Sequence, residues 1–248
     1  MDKSTSIDNQ IILVTGAASG IGRQIAIDLC SRKAKVAVCD KNIEALKELA
    51  KQYPVEVFEV DFTDESSINN LVSSVETKIG PLKAVVNCVG ILGKNGEKIE
   101  SLDIADFDLV YAINLRGAVI LTKAVIAGMA QRGYGRILHI ASISGKEGNP
   151  YLVAYSATKA GLIGMVKSVG KEYATSGVTI NAMAPALIES PMSDSFSEKQ
   201  LALLKSRIPM ERLGKSQEVA DLAAWIVSPA CSFTTGFTFD ASGGRATY

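Results

Sequence analysis

Tyr155 and Lys159 stand four residues apart, and in a helix that spacing points both side chains the same way. A phenol titrates near ~10, so holding one ionised at neutral pH costs roughly 4 kcal/mol, a cost that a neighbouring ammonium offsets. The pair can therefore give a proton to, or take one from, a substrate oxygen. By itself it is no more than a common helical pair, and other residues must supply the substrate and the second reactant.

A second stretch with chemical meaning is Gly16-Ala17-Ala18-Ser19-Gly20-Ile21-Gly22, which follows the apolar run Ile11–Thr15 and precedes a helix carrying Ile21, Ile25 and Leu29 on one face. Strand, glycine turn and helix in this order make a phosphate site. The glycines let the backbone approach a pyrophosphate whose charge rests on the helix N-terminus. The next strand, Lys35–Asp40, ends on an acid about twenty residues past the glycines. A carboxylate there can hold both ribose hydroxyls of an adenosine and would repel a 2′-phosphate, which favours NAD.

The elements that position these groups alternate from end to end. Val55–Asp61 leads into a third strand that places Asp61 at the sheet edge, and a helix capped by Asp64 runs to about Ile79. Lys83–Asn87 is a fourth strand opening into Cys88-Val89-Gly90, followed by a polar loop, Ile91–Glu100, over the site. A single long helix over about Asp106–Gln131 carries Asn114, and Arg136–Ser142 is a fifth strand. The loop Ile143–Leu152 delivers the chain to the helix of Tyr155, about Ala154–Thr175, whose Ala157, Ala160, Gly161 and Gly164 permit close helix packing. Val178–Ala184 is a sixth strand, and Phe237–Asp240 is the last, after a helix capped by Ser216. From Leu187 to Pro209 the composition turns to Ser, Glu, Lys, Met and Pro, as expected of a mobile segment that covers a substrate. Such alternation predicts an α/β fold, a parallel sheet with helices on both faces, in one domain over residues 1–248.

Composition narrows the functions. Lys plus Arg and Asp plus Glu number 26 each, so no basic field invites nucleic acid. Cys30, Cys39, Cys88 and Cys231 lie far apart in apolar surroundings and read as reduced thiols of a cytoplasmic protein. His139, the only histidine, lies inside a strand and reads as structural; no metal constellation accompanies it. The polar N-terminus reads as no signal peptide, and no uninterrupted apolar run is long enough for a bilayer, so no membrane partner is expected.

Thr15-Gly16-x-x-x-Gly20-Ile21-Gly22, Asn87-Cys88-Val89-Gly90, Asn114, Ser142, Tyr155-x-x-x-Lys159 and Asn181-x-x-x-Pro185 together resemble the short-chain dehydrogenase/reductase family over nearly the whole chain. The resemblance implies a Rossmann-type doubly wound sheet of seven parallel strands with a nicotinamide cofactor at its C-terminal edge. It implies that Tyr155 is the acid/base, that Lys159 binds the nicotinamide ribose and lowers the tyrosine pKa, that Ser142 bonds the substrate oxygen, and that Asn114 holds a proton-relaying water. Gly16, Gly20, Ile21 and Gly22 would cradle the pyrophosphate, Asp40 the ribose and Asp61 the adenine. Asn87 would fix the wall beside the cofactor, and Ile188 would meet the carboxamide through its backbone. Ser19, Phe62, Gly90 and Pro185 carry over as further cofactor contacts, and a homotetramer is implied. This chain departs from the family pattern at Cys88-Val89, at Ala186 after Pro185, and at Glu189-Ser190, where a carboxylate falls near the substrate region.

The tail Ser242–Tyr248, Gly145–Asn149 and Pro185–Glu189 resemble the branch acting on sugars and 2-keto-3-deoxy sugar acids such as deoxy-rhamnonate or deoxy-fuconate. That implies substrate contacts at Glu147, Asn149, Glu189 and Arg245, with Arg245 meeting a substrate carboxylate. The general pattern also fits a 3-oxoacyl-carrier-protein reductase. A non-catalytic NAD-binding scaffold or redox sensor would be marked by loss of Tyr155 or Lys159, and both are present.

Overall fold

Ile11–Thr15 forms β1, buried along its whole length. Ile11 and Leu13 enter one core while Ile12 and Val14 enter the other, which is why the run is apolar without alternation. This computed structural model describes residues 5–189 and 197–248. After β1 come α1 (Gly20–Ser31), β2 (Lys35–Asp40), α2 (Ile43–Ala50), β3 (Val55–Glu59), α3 (Glu65–Lys78) and β4 (Ala84–Asn87). Then follow α4 (Ile104–Tyr111), a π-turn (Ala112–Arg116), α5 (Gly117–Gln131), β5 (Gly135–Ile140), α6 (Ile143–Glu147) and α7 (Val153–Glu172). The described chain closes with β6 (Val178–Pro185), α8 (Glu198–Lys205), α9 (Ser216–Ile226) and β7 (Thr238–Ala241).

The seven strands form one sheet in the order β3-β2-β1-β4-β5-β6-β7, every pair parallel. The chain winds outward from β1 to β3, then returns to the other side of β1 at β4. The crevice beyond the carboxyl ends of β1 and β4 is therefore the topological switch point, where such sheets bind ligands. One face is covered by α3, α5 and α7 through residues such as Ile68, Leu121 and Leu162. The other is covered by α1, α2 and α9 through Ile25, Leu46 and Val219.

Several elements differ from the sequence reading. Residues Ile43–Ala50 form α2, where no element was expected. The long helix is two helices joined by the π-turn that contains Asn114. Part of the expected loop after Ser142 is α6. Ser216 does not cap α9; Lys215 holds the cap position, its N–H donating to Glu218 Oε2 at 2.8 Å, while the Ser216 hydroxyl donates to Glu189 O at 2.8 Å. The segment expected to cover a substrate falls partly outside the described residues, at 190–196; within it α8 is helical and Ile188 bridges Gly214.

The helical run Ile104–Gln131 is, by length and composition, long and apolar enough to span a bilayer, although Asp106, Asp108, Arg116 and Lys123 interrupt its apolar residues. Half of its most apolar window is buried, and it packs on α3 and α7, as a core helix does.

Candidate active site

The glycine turn is built by close approach. Gly16 (φ +68°) and Gly20 (φ +54°) adopt a backbone that side chains disfavour. A Cβ on Gly22 would lie 2.2 Å from Gly16 O, so only glycine lets α1 start so near the strand. Ser19 occupies the cap position of α1 without a side-chain cap bond, and the space beside Gly20 is open. The first-turn amides of α1 are thus left for an anion. Gly16 N is held by Cys39 O at 2.8 Å, and Asp40 reaches back to the same turn, its Oδ2 accepting from Ala18 N at 3.2 Å. Its Oδ1 accepts from Asn42 N at 3.0 Å. Each carboxylate oxygen so fixed retains lone pairs for a diol. These residues fit a dinucleotide: open donors for phosphate, a positioned acid for ribose.

Asp61 sits past β3, its carboxylate accepting from Thr63 N and Thr63 Oγ1 at 2.8 and 2.7 Å and from Lys41 Nζ at 3.2 Å. The Thr63 bonds, then Lys41, hold its pKa below the usual carboxylate range. Lys41 therefore turns away from Asp40 toward Asp61. The ring of Phe62 belongs to the core and lies where a Cβ on Gly117 would reach it at 2.8 Å, so any contact Phe62 makes with a ligand goes through its backbone.

Behind the crevice runs a buried polar chain. Thr15, Asn87 and His139 are direct cross-strand partners on β1, β4 and β5. Thr15 Oγ1 donates to Asn87 Oδ1 at 2.6 Å, and Asn87 Nδ2 meets His139 Nδ1 at 3.1 Å. His139 Nε2 meets Thr122 Oγ1 at 3.0 Å, and that hydroxyl donates to Ala118 O at 2.7 Å. With its proton so committed, Thr122 accepts from His139, and the imidazole carries its hydrogen on Nε2. Burial, with Lys159 second, pushes the His139 pKa down to about 3, so the ring is neutral.

Asn114 owes its aim to the π-turn, a single wide turn of a kind frequent at functional sites. Its Oδ1 accepts from Ile91 N at 2.8 Å, and its Nδ2 donates to Ile91 O at 2.9 Å and to Thr158 Oγ1 at 3.3 Å. It thereby ties the segment after β4 to α7. Gly161 of α7 packs within the fold, against Leu115 of the π-turn, whereas Gly164 faces open space.

Tyr155 and Lys159 lie on the first turns of α7, with Lys159 Nζ 5.6 Å from the centre of the tyrosine ring. Lys159 is buried and donates to Ile140 O at 2.7 Å. A Cβ on Gly90 would come 3.1 Å from its Nζ, so the lysine reaches the end of β4 because position 90 has no side chain. Burial lowers the Lys159 pKa to about 8. Burial raises that of Tyr155, and a hydrogen bond with Ser142 opposes the rise; Lys159, expected to lower it, is not among the causes, and the tyrosine stands above its ordinary value. Ser142 stands at the end of β5 as the cap of α6, its Oγ accepting from Ser144 N at 3.1 Å. Burial pushes the Cys88 thiol up to about 12, so it is no nucleophile at neutral pH.

The remaining expected positions divide. Pro185 ends β6 and Ile188 is buried beside Gly214. Glu189 is exposed and lines a recess with Ser19, Gly20, Arg23 and Ser216, next to the glycine turn. In the sequence Arg23 reads as one more polar helix residue, with no local signal to mark it. Glu147, Asn149 and Arg245 come together, but with each other: Arg245 Nε donates to Glu147 Oε2 at 2.9 Å and its Nη2 to Asn149 Oδ1 at 3.1 Å. A further cavity of about 220 Å³, lined by Ile188, Met210, Arg212, Glu218 and Leu222, includes neither Ser142 nor Tyr155. Among the described residues, no group of three or more His, Cys, Asp or Glu side chains is placed to hold a metal ion.

The family described as Enoyl-(Acyl carrier protein) reductase matches residues 16–246. The 2-dehydro-3-deoxy-L-rhamnonate dehydrogenase (NAD(+)) of Sphingomonas sp. (strain SKA58) is 39% identical over 239 residues, 95% of each chain. The 3-oxoacyl-acyl-carrier-protein reductase FabG of Rickettsia prowazekii (strain Madrid E) is 41% identical over 236 residues, 94% of this chain and 95% of that one. Among solved structures, a point variant of actinorhodin polyketide ketoreductase with NADPH superposes with a TM-score of 0.90 at 32% identity, covering 97% of this chain and 98% of that one.

Proposed function

Since the chain belongs to the short-chain dehydrogenase/reductase family, oxidoreductases that act on CH–OH groups with a nicotinamide cofactor, we propose that it is an NAD-dependent dehydrogenase of a sugar or 2-keto-3-deoxy sugar acid. The bound nicotinamide supplies the hydride acceptor. In this reading Tyr155 takes the hydroxyl proton as the carbon loses hydride, or returns it in reduction. With Lys159 in place, burial still leaves Tyr155 with a raised pKa, so its phenolate needs a cationic cofactor ring beside it. Ser142 holds the substrate oxygen at the tyrosine, and Asn114 marks the path by which the proton leaves. The first turn of α1, with Ser19, Gly20, Ile21 and Arg23 at its mouth, receives the pyrophosphate.

The observation that carries the reading is the convergence of Tyr155, Lys159 and Ser142 beside the switch-point crevice. Asp40, fixed by two backbone amides and free of Lys41, supports NAD over its phosphorylated form. Likeness to an NAD(+)-dependent deoxy-rhamnonate dehydrogenase supports the substrate class. A second reading, 3-oxoacyl-acyl-carrier-protein reductase, draws on the 41% identical relative. We further propose a cytoplasmic homotetramer with no nucleic-acid or membrane partner. The exposed Leu109 and Val119, and Phe233 and Phe237 near the sheet-edge strand β7, suit faces between copies.

Initial rates with NAD and NADP against 2-dehydro-3-deoxy-L-rhamnonate, other sugar acids and a 3-oxoacyl thioester test the readings together. Oxidation of a sugar acid with NAD, lost in Tyr155→Phe, is expected. Turnover that survives Tyr155→Phe would refute the mechanism, and a strong NADP preference with thioester reduction would favour the second reading.

A further inference from the structure

α6 has five residues, one of them Gly145, too few to be stable alone. What holds it comes from almost a hundred residues away. Lys146 Nζ contacts Asp240 Oδ2 at 3.0 Å, and Glu147 Oε2 accepts from Arg245 at 2.8–2.9 Å. The signs cross over: the cation of α6 meets an anion beside the tail, and the anion of α6 meets a cation on it. Both basic side chains are nearly buried, at 5% and 9% exposure, which separates these pairs from the solvated bridges elsewhere on the surface. Tyr248 completes the contact, its hydroxyl donating to Lys146 O and its ring lying 5.0 Å from Lys146 Nζ.

From this junction a hydrogen-bonded path runs to the chemistry. Arg245 reaches Asn149 Oδ1, Asn149 Nδ2 donates to Ser144 Oγ at 2.6 Å, and Ser144 N donates to Ser142 Oγ at 3.1 Å. A branch leads from Asn149 N to Ser156 Oγ at 3.1 Å, on the residue after Tyr155. On its other side α6 is pressed on α7, where a Cβ on Gly145 would come within 2.6 Å of the Lys159 carbonyl carbon. The short helix that begins at Ser142 is pinned between the helix of Tyr155 and the C-terminal tail.

We propose that the C-terminal tail is a brace for the active site, in which Arg245, through Glu147 and Asn149, sets the direction of the Ser142 hydroxyl toward Tyr155. Arg245 and Glu147 are positioning residues and touch no reacting atom. The proposal rests on the oxidoreductase reading above and deepens it. It also gives Arg245 a different task from binding a substrate carboxylate, because Glu147 already satisfies its charge.

The test compares Arg245→Gln, Glu147→Gln and the reversed pair E147R/R245E in the full chain. Turnover is measured with 2-dehydro-3-deoxy-L-rhamnonate and NAD, and with the neutral ketone ethyl acetoacetate and NADH; NADH affinity is read by fluorescence. Misaiming one hydroxyl by a fraction of an ångström is expected to lower kcat about 10- to 100-fold for both substrates in both single variants. NADH affinity should stay within about twofold, and the reversed pair should stay slow although its ion pair is restored, because a glutamate at 245 cannot donate to Asn149 Oδ1. A readout without substrate is Tyr155 ionisation in the NAD complex, taken as the ultraviolet difference between each protein and its Tyr155→Phe counterpart. Because the Ser142 bond lowers that pKa, Arg245→Gln should move the midpoint up by about half a pH unit, a threefold change in ionisation constant. An unmoved midpoint overturns the brace. So does a reversed pair as fast as the parent, which would make the bond to Asn149 irrelevant, or an Arg245→Gln defect confined to KM for the acidic substrate. If Arg245→Gln is silent while Tyr155→Phe is inactive, the brace alone fails; if Tyr155→Phe is active, the oxidoreductase mechanism fails with it.

Discussion

Replacing Lys159 by Met should make the protein inactive and more stable. The ammonium is buried, and its pKa falls from the ordinary 10.5 to about 8 because burial disfavours the charge. At 1.36 kcal/mol per tenfold change, holding it protonated at pH 7 costs about 3 kcal/mol relative to the unfolded chain. Methionine fills similar volume without charge but gives up the bond to Ile140 O at 2.7 Å, worth about 1–2 kcal/mol. The net gain is about 1–2 kcal/mol, or roughly 2–8 °C in Tm for a chain of this length. The sign follows from the lowered folded pKa: the unfolded chain binds the extra proton, so the native protein carries the penalty below pH 8 and sheds it as pH rises toward 10.5. The Tm advantage of Lys159→Met should be largest at pH 6–7 and gone near pH 10. Thermal melts of both proteins across that range, with a turnover assay, make the comparison. A variant less stable than the parent at pH 7, or a Tm gap independent of pH, would refute the reasoning.

Gly22→Ala should abolish NADH binding, measured by fluorescence titration, because the added methyl would stand 2.2 Å from Gly16 O and force the cofactor turn apart. His139→Leu should lose about 2–3 kcal/mol at pH 7 in urea unfolding, since it strands the buried Asn87 amide that now bonds the ring. The same variant should resist acid better in relative terms. With a folded pKa near 3, the neutral histidine costs the native state stability as pH falls below about 6.5, and leucine removes that part of the slope.

The cofactor half of the site was legible because its signals are local. Gly16, Gly20 and Gly22 are required by their own backbone and by contacts within one turn, and Asp40 ends its strand a fixed distance later. The apolar run of β1 announced a strand covered on both faces. The π-turn at Asn114 was hidden because the helices on either side are apolar on most faces, so no clear stripe exists whose phase could betray an extra residue, and Asp106–Gln131 reads as one helix. α6 was hidden for the opposite reason. A stretch containing Ser144 and Gly145 has little helical tendency, and its supports are Asp240 and Arg245, which no local pattern connects to it. In the sequence Arg245 is a charge that can meet a carboxylate; that the carboxylate is Glu147 depends on where the tail lies.

The buried chain through Thr15, Asn87 and His139 also bears on how the polypeptide finds this fold. Parallel strands drawn from positions 72 and 52 residues apart offer little to distinguish the right alignment from one displaced by a residue, since their hydrophobic side chains are nearly interchangeable. A displaced β4 would send Asn87 to the opposite face and leave a hydroxyl, an amide and an imidazole unpartnered in hydrocarbon. Misaligned sheets are therefore raised by several kcal/mol while the native pairing is not. The three polar residues act as a checksum on strand alignment, widening the gap between the native state and its nearest competitors.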